Sequence, residues 1–101
     1  DEDCYSNGSG FPWVYRELGI GKLIGTPVAG TATSVWWETQ MDPTLVFGIP
    51  QIGKKDMRGN YMENQELLPD IEVYNTPEDF INGRDPQLET AVREMMRQAG
   101  F

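Results

Sequence analysis

Ser6 is the residue with the clearest potential for chemistry, because a helical pattern begins shortly after it. Phe11, Val14, Tyr15 and Leu18 follow the i, i+3, i+4, i+7 spacing of a helix with one apolar face. A serine at the amino end of a helix meets the positive end of the helix dipole and free backbone N–H groups, which stabilise developing negative charge. Ser6 is therefore a candidate nucleophile for acyl transfer.

A serine nucleophile needs a general base, and the composition lacks the usual one. The 101 residues contain no histidine, so an imidazole base would have to come from outside them. Serine also favours helix caps and turns for local hydrogen-bonding reasons, so a capping role for Ser6 stays open. Ser9, in the stretch Gly8-Ser9-Gly10, is predicted to be a turn residue, and Ser34 to lie within a strand.

The composition argues against several other function classes. Sixteen acidic residues against eight basic ones give a net charge of −8, which disfavours nucleic acid and anionic membranes as partners. No run approaches the roughly 18 apolar residues of a membrane span. Cys4 is the one cysteine, so an internal disulfide is excluded, and no carboxylate spacing suggests a metal site. We expect no cofactor and no metal.

The first half of the chain is predicted to form a helix, a short strand and a hairpin. Gly19 ends the helix, and residues 22–24 form a short apolar strand before Gly25-Thr26-Pro27. Helix, turn and strand form the second half of a β–α–β crossover, which predicts a further strand ahead of residue 1. The hairpin comprises strands at 33–39 and 45–49. Of Trp36 and Trp37, which face opposite sides of their strand, one is expected in the core.

The second half is predicted to contain a polar loop, a short strand and two helices. The loop covers residues 53–60, the strand residues 71–73, and the first helix residues 76–82. Asp85 caps the last helix and Gly100 ends it. Its inward stripe is predicted to consist of Leu88, Val92, Met95 and Met96. The elements together predict one compact α/β unit.

Three segments, taken together, resemble the serine peptidases of the C-terminal-processing and tricorn type. Residues 2–26 are similar to the segment in which the serine opens a helix and the chain returns as a strand ending in Ile-Gly-Thr. Residues 61–71 contain a Glu-Asn pair before Pro-Asp-Ile, and residues 83–89 contain Gly-Arg-Asp-Pro-Gln-Leu. Their order and spacing cover nearly the whole chain, which makes the joint resemblance strong.

The resemblance implies that residues 1–101 are the C-terminal portion of a catalytic domain with a crotonase-like α/β core. It implies that Ser6 is the nucleophile and that the backbone N–H of Asn7 contributes to the oxyanion hole. Glu63 would orient the base assembly. The histidine base would lie in an N-terminal portion that these residues lack, so the chain alone is expected to be inactive.

One position distinguishes the two branches of this family. In the processing branch the base is a lysine 25 residues after the serine, and here that position holds Thr31. The resemblance therefore favours the histidine-dependent, tricorn-like branch. Lys22 is the nearest alternative base, although it lies in the predicted strand.

Expected partners follow from the same resemblance. They are a peptide or protein substrate and the N-terminal portion of the same polypeptide. The sequence does not give the compartment, and the resemblance favours an extracytoplasmic bacterial setting over the cytosol. A different class of function also stays open, namely a non-catalytic module that binds peptides or pairs strands. Exposed strand edges would then permit a homodimer formed by strand pairing or swapping.

Overall fold

The computed structural model describes residues 5–101 of the chain, so Cys4 and the predicted upstream strand lie outside the described residues. These residues contain three helices and four strands, in the order of one helix, four strands and two helices. They are α1 (Asn7–Glu17), β1 (Ile24–Gly25), β2 (Ser34–Thr39), β3 (Val46–Ile52), β4 (Ile71–Glu72), α2 (Pro77–Ile81) and α3 (Pro86–Ala99). α1 begins four residues ahead of the predicted Phe11, directly after Ser6.

A small parallel pair of strands forms the centre of the fold. β1 pairs with β4, with Ile24 opposite Ile71. Beyond β1, Val28 and Leu67 exchange two backbone hydrogen bonds of 3.0 Å in an antiparallel bridge. The chain after α1 is thereby held against the segment that follows residue 63, which brings the first and second halves of the sequence together.

The two middle strands form a separate antiparallel hairpin. β2 pairs with β3 from Ser34 opposite Ile52 to Thr39 opposite Val46. The turn between them is fixed by Asp42, whose carboxylate accepts hydrogen bonds from the N–H and hydroxyl of Thr44 at 3.0 and 2.8 Å. β3 continues through Pro50 to Ile52, three residues past the predicted end at residue 49. A register irregularity occurs between Ser34 and Val35, and Val35 is the partner of Pro50. Proline is tolerated there because this strand is an edge of the hairpin.

Asp70 connects the central strands to the helix that follows Ser6. Its carboxylate accepts a 2.7 Å hydrogen bond from the N–H of Leu23 and a 3.3 Å hydrogen bond from Arg16 on α1. The Leu23 N–H is the main reason that the pKa of Asp70 lies below its usual value, and Arg16 adds to the effect. The Pro-Asp-Ile segment therefore has a structural role, which is to fix α1 relative to β1.

Local capping signals position the two C-terminal helices. Thr76 and Asp79 form a reciprocal capping box at the start of α2. Asp85 caps α3 by accepting the N–H of Leu88 at 3.0 Å, and Gly100 ends α3 in the left-handed conformation. The amide of Gln87 donates to the carbonyl of Val73 at 3.0 Å, which ties α3 to the strand β4.

The expectation of one compact unit is wrong. The radius of gyration is 17.7 Å and the extents are 61 × 39 × 17 Å, whereas a compact domain of this length has a radius of gyration of about 13 Å. In the described part of the chain, Ala32 and Leu67 are the only buried hydrophobic side chains. The cause is that the apolar faces are not directed at one another.

The exposed faces include residues that were predicted to be buried. Trp36 and Trp37 are 59% and 67% exposed, so neither lies in a core within residues 5–101. The stripe on α3 is likewise open to solvent: Leu88, Val92, Met95 and Met96 are 47–71% exposed. Among the same residues, no helix is both long and apolar enough to cross a membrane.

Candidate active site

Ser6 lies at the amino end of α1 in an unusual backbone conformation. Its φ is 53° and its ψ is −115°, which lies outside the regions that residues with a side chain normally occupy. Its hydroxyl makes no capping hydrogen bond to α1, and its side chain is partly exposed. Such strain persists only where the surroundings enforce it, and it is concentrated at functional sites. Ser6 thus holds the N-cap position of α1, but its side chain does not cap the helix.

Asn7 is the first residue of α1, so its N–H lies at the positive end of the helix dipole. None of the residues from Tyr5 to Phe101 accepts a hydrogen bond from this N–H. The Asn7 side chain is held instead, since its Oδ1 accepts a 3.2 Å hydrogen bond from Nζ of Lys54. Within residues 5–101, the donor directly after Ser6 is thus not used by another group.

Glu63 is held firmly through one of its two carboxylate oxygens. Oε2 accepts hydrogen bonds from the N–H of Ala32 at 2.8 Å, and from the N–H and hydroxyl of Thr33, both at 2.6 Å. The Thr33 hydroxyl, followed by the two N–H groups, lowers the pKa of Glu63 below its ordinary value. Glu63 is therefore an anion at neutral pH, suited to orienting a donor rather than to delivering a proton.

A close backbone approach places Glu63 in this position. Gly30 accepts a 2.7 Å hydrogen bond from the N–H of Asn64, which has a positive φ of 59°. A Cβ on Gly30 would lie 2.5 Å from the backbone nitrogen of Gln65. Only glycine permits the two segments to approach so closely. The next residues along the chain, Ala32 and Thr33, are thereby brought to the Glu63 carboxylate.

Ser9 connects the Ser6 end of the site to the Glu63 end. Its hydroxyl lies 2.5 Å from the carbonyl oxygen of Ser6 and 3.4 Å from that of Thr31. The prediction that Ser9 is a turn residue is wrong, because it belongs to α1 and is only 3% exposed. Ser9 therefore lies beside Thr31, and Glu63 binds the next two residues, so segments that are 57 positions apart meet at residues 31–33. The sequence signal for the contact between Ser9 and the Ser6 carbonyl was their spacing of three, because a serine in a helix can bond the carbonyl three residues before it.

The alternative base predicted from the sequence has another role. Nζ of Lys22 lies 2.7 Å from the carboxylate of Glu94 on α3, and the same carboxylate binds Arg97 at 2.8 Å. Arg97 and Lys22 both lower the pKa of Glu94. Lys22 therefore forms an ion pair that fastens α3 to the strand region, rather than serving Ser6.

Two cavities lie near the candidate site, and one of them is lined by Glu63. One, of about 470 Å³, is lined by Tyr5, by the chain around β1 and by Phe80 and Gln87. The other, of about 440 Å³, is lined by Glu63 with Gly30, Thr31, Asn64 and Glu66. Ser6 lines neither of them. Within residues 5–101 there is also no group of three cysteine or carboxylate side chains that could hold a metal ion.

Comparisons with known proteins show similarity to one family of peptidases. The model of peptidase family S41 matches residues 1–73. The chain is 28% identical over 99 residues to the Tricorn protease of Thermoplasma acidophilum. This alignment covers 97% of this chain and 9% of that protein. It is 33% identical over 95 residues to a Putative Tricorn-like protease C-terminal subunit of Sulfurisphaera tokodaii, covering 92% of this chain and 11% of that protein.

The same similarity is present in three dimensions. A crystal structure of the tricorn protease superposes with a TM-score of 0.81 and 28% identity, over 94% of this chain and 9% of that one. The chain thus spans about a tenth of the length of the relatives it matches.

The strain at Ser6 predicts that glycine is more stabilising than alanine at this position. Both substitutions remove the hydroxyl, but only alanine keeps the Cβ that makes a positive φ unfavourable. The strain costs about 1–3 kcal/mol, and the greater freedom of glycine in the unfolded chain offsets about 0.5–1 kcal/mol of its relief. We expect Ser6→Gly to exceed Ser6→Ala in unfolding free energy by about 1 kcal/mol, measured by urea denaturation. At Ser34, which lies in β2 and has no positive φ, glycine should be the less stable variant; the same order at both positions would contradict the account.

The hydrogen bonds to Glu63 predict a pH-dependent contribution to stability. Because the pKa of Glu63 is lowered in the folded chain, its contribution is fully present above the ordinary value of 4.5 and is lost as the pH falls through the folded pKa. The difference in unfolding free energy between the wild type and Glu63→Gln should therefore shrink on acidification below pH 4.5. Glu66→Gln, at an exposed neighbour, is the control. A difference that does not change with pH would show that Glu63 is not held as an anion.

Proposed function

The chain belongs to peptidase family S41, and from this premise we propose that it supplies the nucleophile of a serine-type peptidase that cleaves peptide bonds through an acyl-enzyme. In this proposal Oγ of Ser6 attacks the scissile carbonyl carbon and gives its proton to a base. The C–N bond then breaks as the leaving amine takes that proton, and water hydrolyses the ester. The substrate is a peptide or protein.

The observation that carries the proposal is the conformation of Ser6. A non-glycine residue at φ 53° and ψ −115° leaves its hydroxyl unused by the helix it precedes. This arrangement is typical of a nucleophile presented at a sharp turn before a helix. The N–H of Asn7 would then stabilise the oxyanion that forms when Ser6 attacks, as a donor directly after the nucleophile.

Glu63 is proposed to orient the base assembly rather than to act as the base. Its Oε2 is occupied by Ala32 and Thr33, and Oε1 accepts no hydrogen bond within residues 5–101. An anionic oxygen in that state can hold a polar group that in turn positions the base. Because the sequence has no histidine, the imidazole would be supplied by polypeptide outside these residues.

The incomplete site also supports a proposal about the domain. Ser6 lines neither cavity, and the apolar faces of the hairpin and of α3 are open. We propose that residues 1–101 are the C-terminal portion of a catalytic domain with a crotonase-like core. The N-terminal portion of the same polypeptide would complete the cleft and cover these faces. Alone, the chain is expected to be inactive.

A second candidate function rests on the hairpin surface, which consists of Val35, Trp36, Trp37, Val46, Phe47 and Ile52. These side chains are 42–67% exposed and occupy both faces of β2 and β3. A two-stranded hairpin with two open apolar faces is marginally stable by itself, and its unpaired edges can accept another strand. A strand-pairing module, including a homodimer, would use this surface.

The peptidase proposal predicts that the hydroxyl of Ser6 is indispensable. In the full-length polypeptide, Ser6→Ala should lower kcat by at least about 10³-fold, because losing a nucleophile removes the covalent route. Peptide hydrolysis measured by mass spectrometry of the products checks this. Ser34→Ala, which removes a hydroxyl from a strand, should keep wild-type turnover. Unchanged turnover in Ser6→Ala would move the nucleophile to another residue.

The hairpin surface predicts association of the isolated 101-residue chain. Light scattering at increasing concentration should show a rising average mass, because exposed apolar area drives association. The double variant Trp37→Ser and Phe47→Ser should reduce this rise, whereas Met57→Ser, at an exposed loop residue outside the hairpin, should not. A monomer at every concentration would argue against a strand-pairing module.

A further inference from the structure

Ser9 has a buried hydroxyl that takes no part in the peptidase reaction proposed above. The residue is 3% exposed, the lowest value of any polar residue in the described part of the chain. A buried hydroxyl must be hydrogen-bonded to offset the water it loses. The partners of the Ser9 hydroxyl are the carbonyl oxygens of Ser6 and Thr31, so its position depends on the nucleophile segment and on the segment leading to β2.

A serine hydroxyl carries a single proton, and the two distances show where it goes. The contact with the Ser6 carbonyl, at 2.5 Å, is short and takes the proton, while the Thr31 carbonyl at 3.4 Å is at most a weak second acceptor. The Ser6 carbonyl belongs to the peptide unit that joins Ser6 to Asn7. Holding that oxygen fixes the direction of the Asn7 N–H at the other end of the same planar unit.

The same contact restrains ψ of Ser6, because that torsion sets the direction of the carbonyl. Ser6 has an unfavourable backbone conformation, which must be enforced by neighbouring groups. Thr31 lies directly before Ala32 and Thr33, which donate to Glu63. Ser9 is therefore packed between the peptide that carries the nucleophile and the segment that carries the Glu63 contacts.

We propose that Ser9 is a positioning residue, which holds the Ser6–Asn7 peptide so that the nucleophile and the oxyanion donor face the same substrate carbonyl. This inference rests on the proposed peptidase function. Ser9 does not itself react, because its hydroxyl is buried and already donates. Without it, the peptide unit is free to rotate toward an ordinary helical conformation, and the Asn7 N–H then leaves the carbonyl that Ser6 attacks.

The test compares Ser9→Ala and Ser9→Cys in the full-length polypeptide. Alanine removes the donor, and the thiol of cysteine fills similar space but is a weak donor, so that variant preserves the fold if alanine does not. We expect kcat and the rate of fluorophosphonate labelling of folded protein to fall about 10- to 100-fold, the loss expected from a misplacement of about 1 Å. KM and the pH midpoint of kcat/KM should stay as in the wild type, because Ser9 touches neither substrate nor base.

Matched controls separate this inference from the function on which it rests. Ser34→Ala should keep wild-type kcat, and Ser6→Ala should be inactive. If Ser6→Ala is inactive while folded Ser9→Ala and Ser9→Cys label and turn over at the wild-type rate, the inference is overturned and the peptidase proposal stands. A lower melting temperature with unchanged kcat also overturns it, because Ser9 would then serve stability alone. If Ser6→Ala is active, both proposals fail.

Discussion

The candidate site depends on the three hydrogen bonds that one oxygen of Glu63 accepts from Ala32 and Thr33. They bridge about thirty positions of sequence and hold the segment between β1 and β2 against the loop that carries Glu63. A carboxylate bound in this way is ionised and fixed in direction. Together with the close approach of Gly30 to Gln65, it fixes the backbone around Glu63, although residues 5–101 bury only two hydrophobic side chains.

Polar anchors rather than buried apolar volume hold the rest of the described structure together. Asp70 fixes α1 to β1, Gln87 fixes α3 to the end of β4, and Glu94 binds Lys22. The large apolar side chains face outward on the hairpin and on α3. This distribution is the basis of the proposal that other polypeptide covers these faces. The chain spans about a tenth of the length of its relatives.

The sequence predicted the local features of the fold well, because their signals lie within a few residues of one another. The short helix within residues 76–82, the Asp85 cap and the Gly100 stop are found as predicted. The resemblance to the C-terminal-processing and tricorn-type peptidases, drawn from three segments, is confirmed by the family match and by the tricorn relatives. The close approach of Gly30 to Gln65 and the burial of Ser9 were not predicted, because both depend on contacts between segments more than twenty residues apart. Compactness was predicted wrongly because apolar periodicity shows which face is apolar, but not what covers it.

The central claim is that Ser6 and the Asn7 N–H act on one carbonyl while Glu63 keeps its partners. A crystal structure of the full-length polypeptide after reaction with a fluorophosphonate tests this most directly. The account predicts a phosphonyl group on Oγ of Ser6, its oxygen within hydrogen-bonding distance of the Asn7 N–H, and Glu63 still bound to Ala32 and Thr33. A phosphonyl group on another residue, or an Asn7 N–H directed away from its oxygen, would contradict the account.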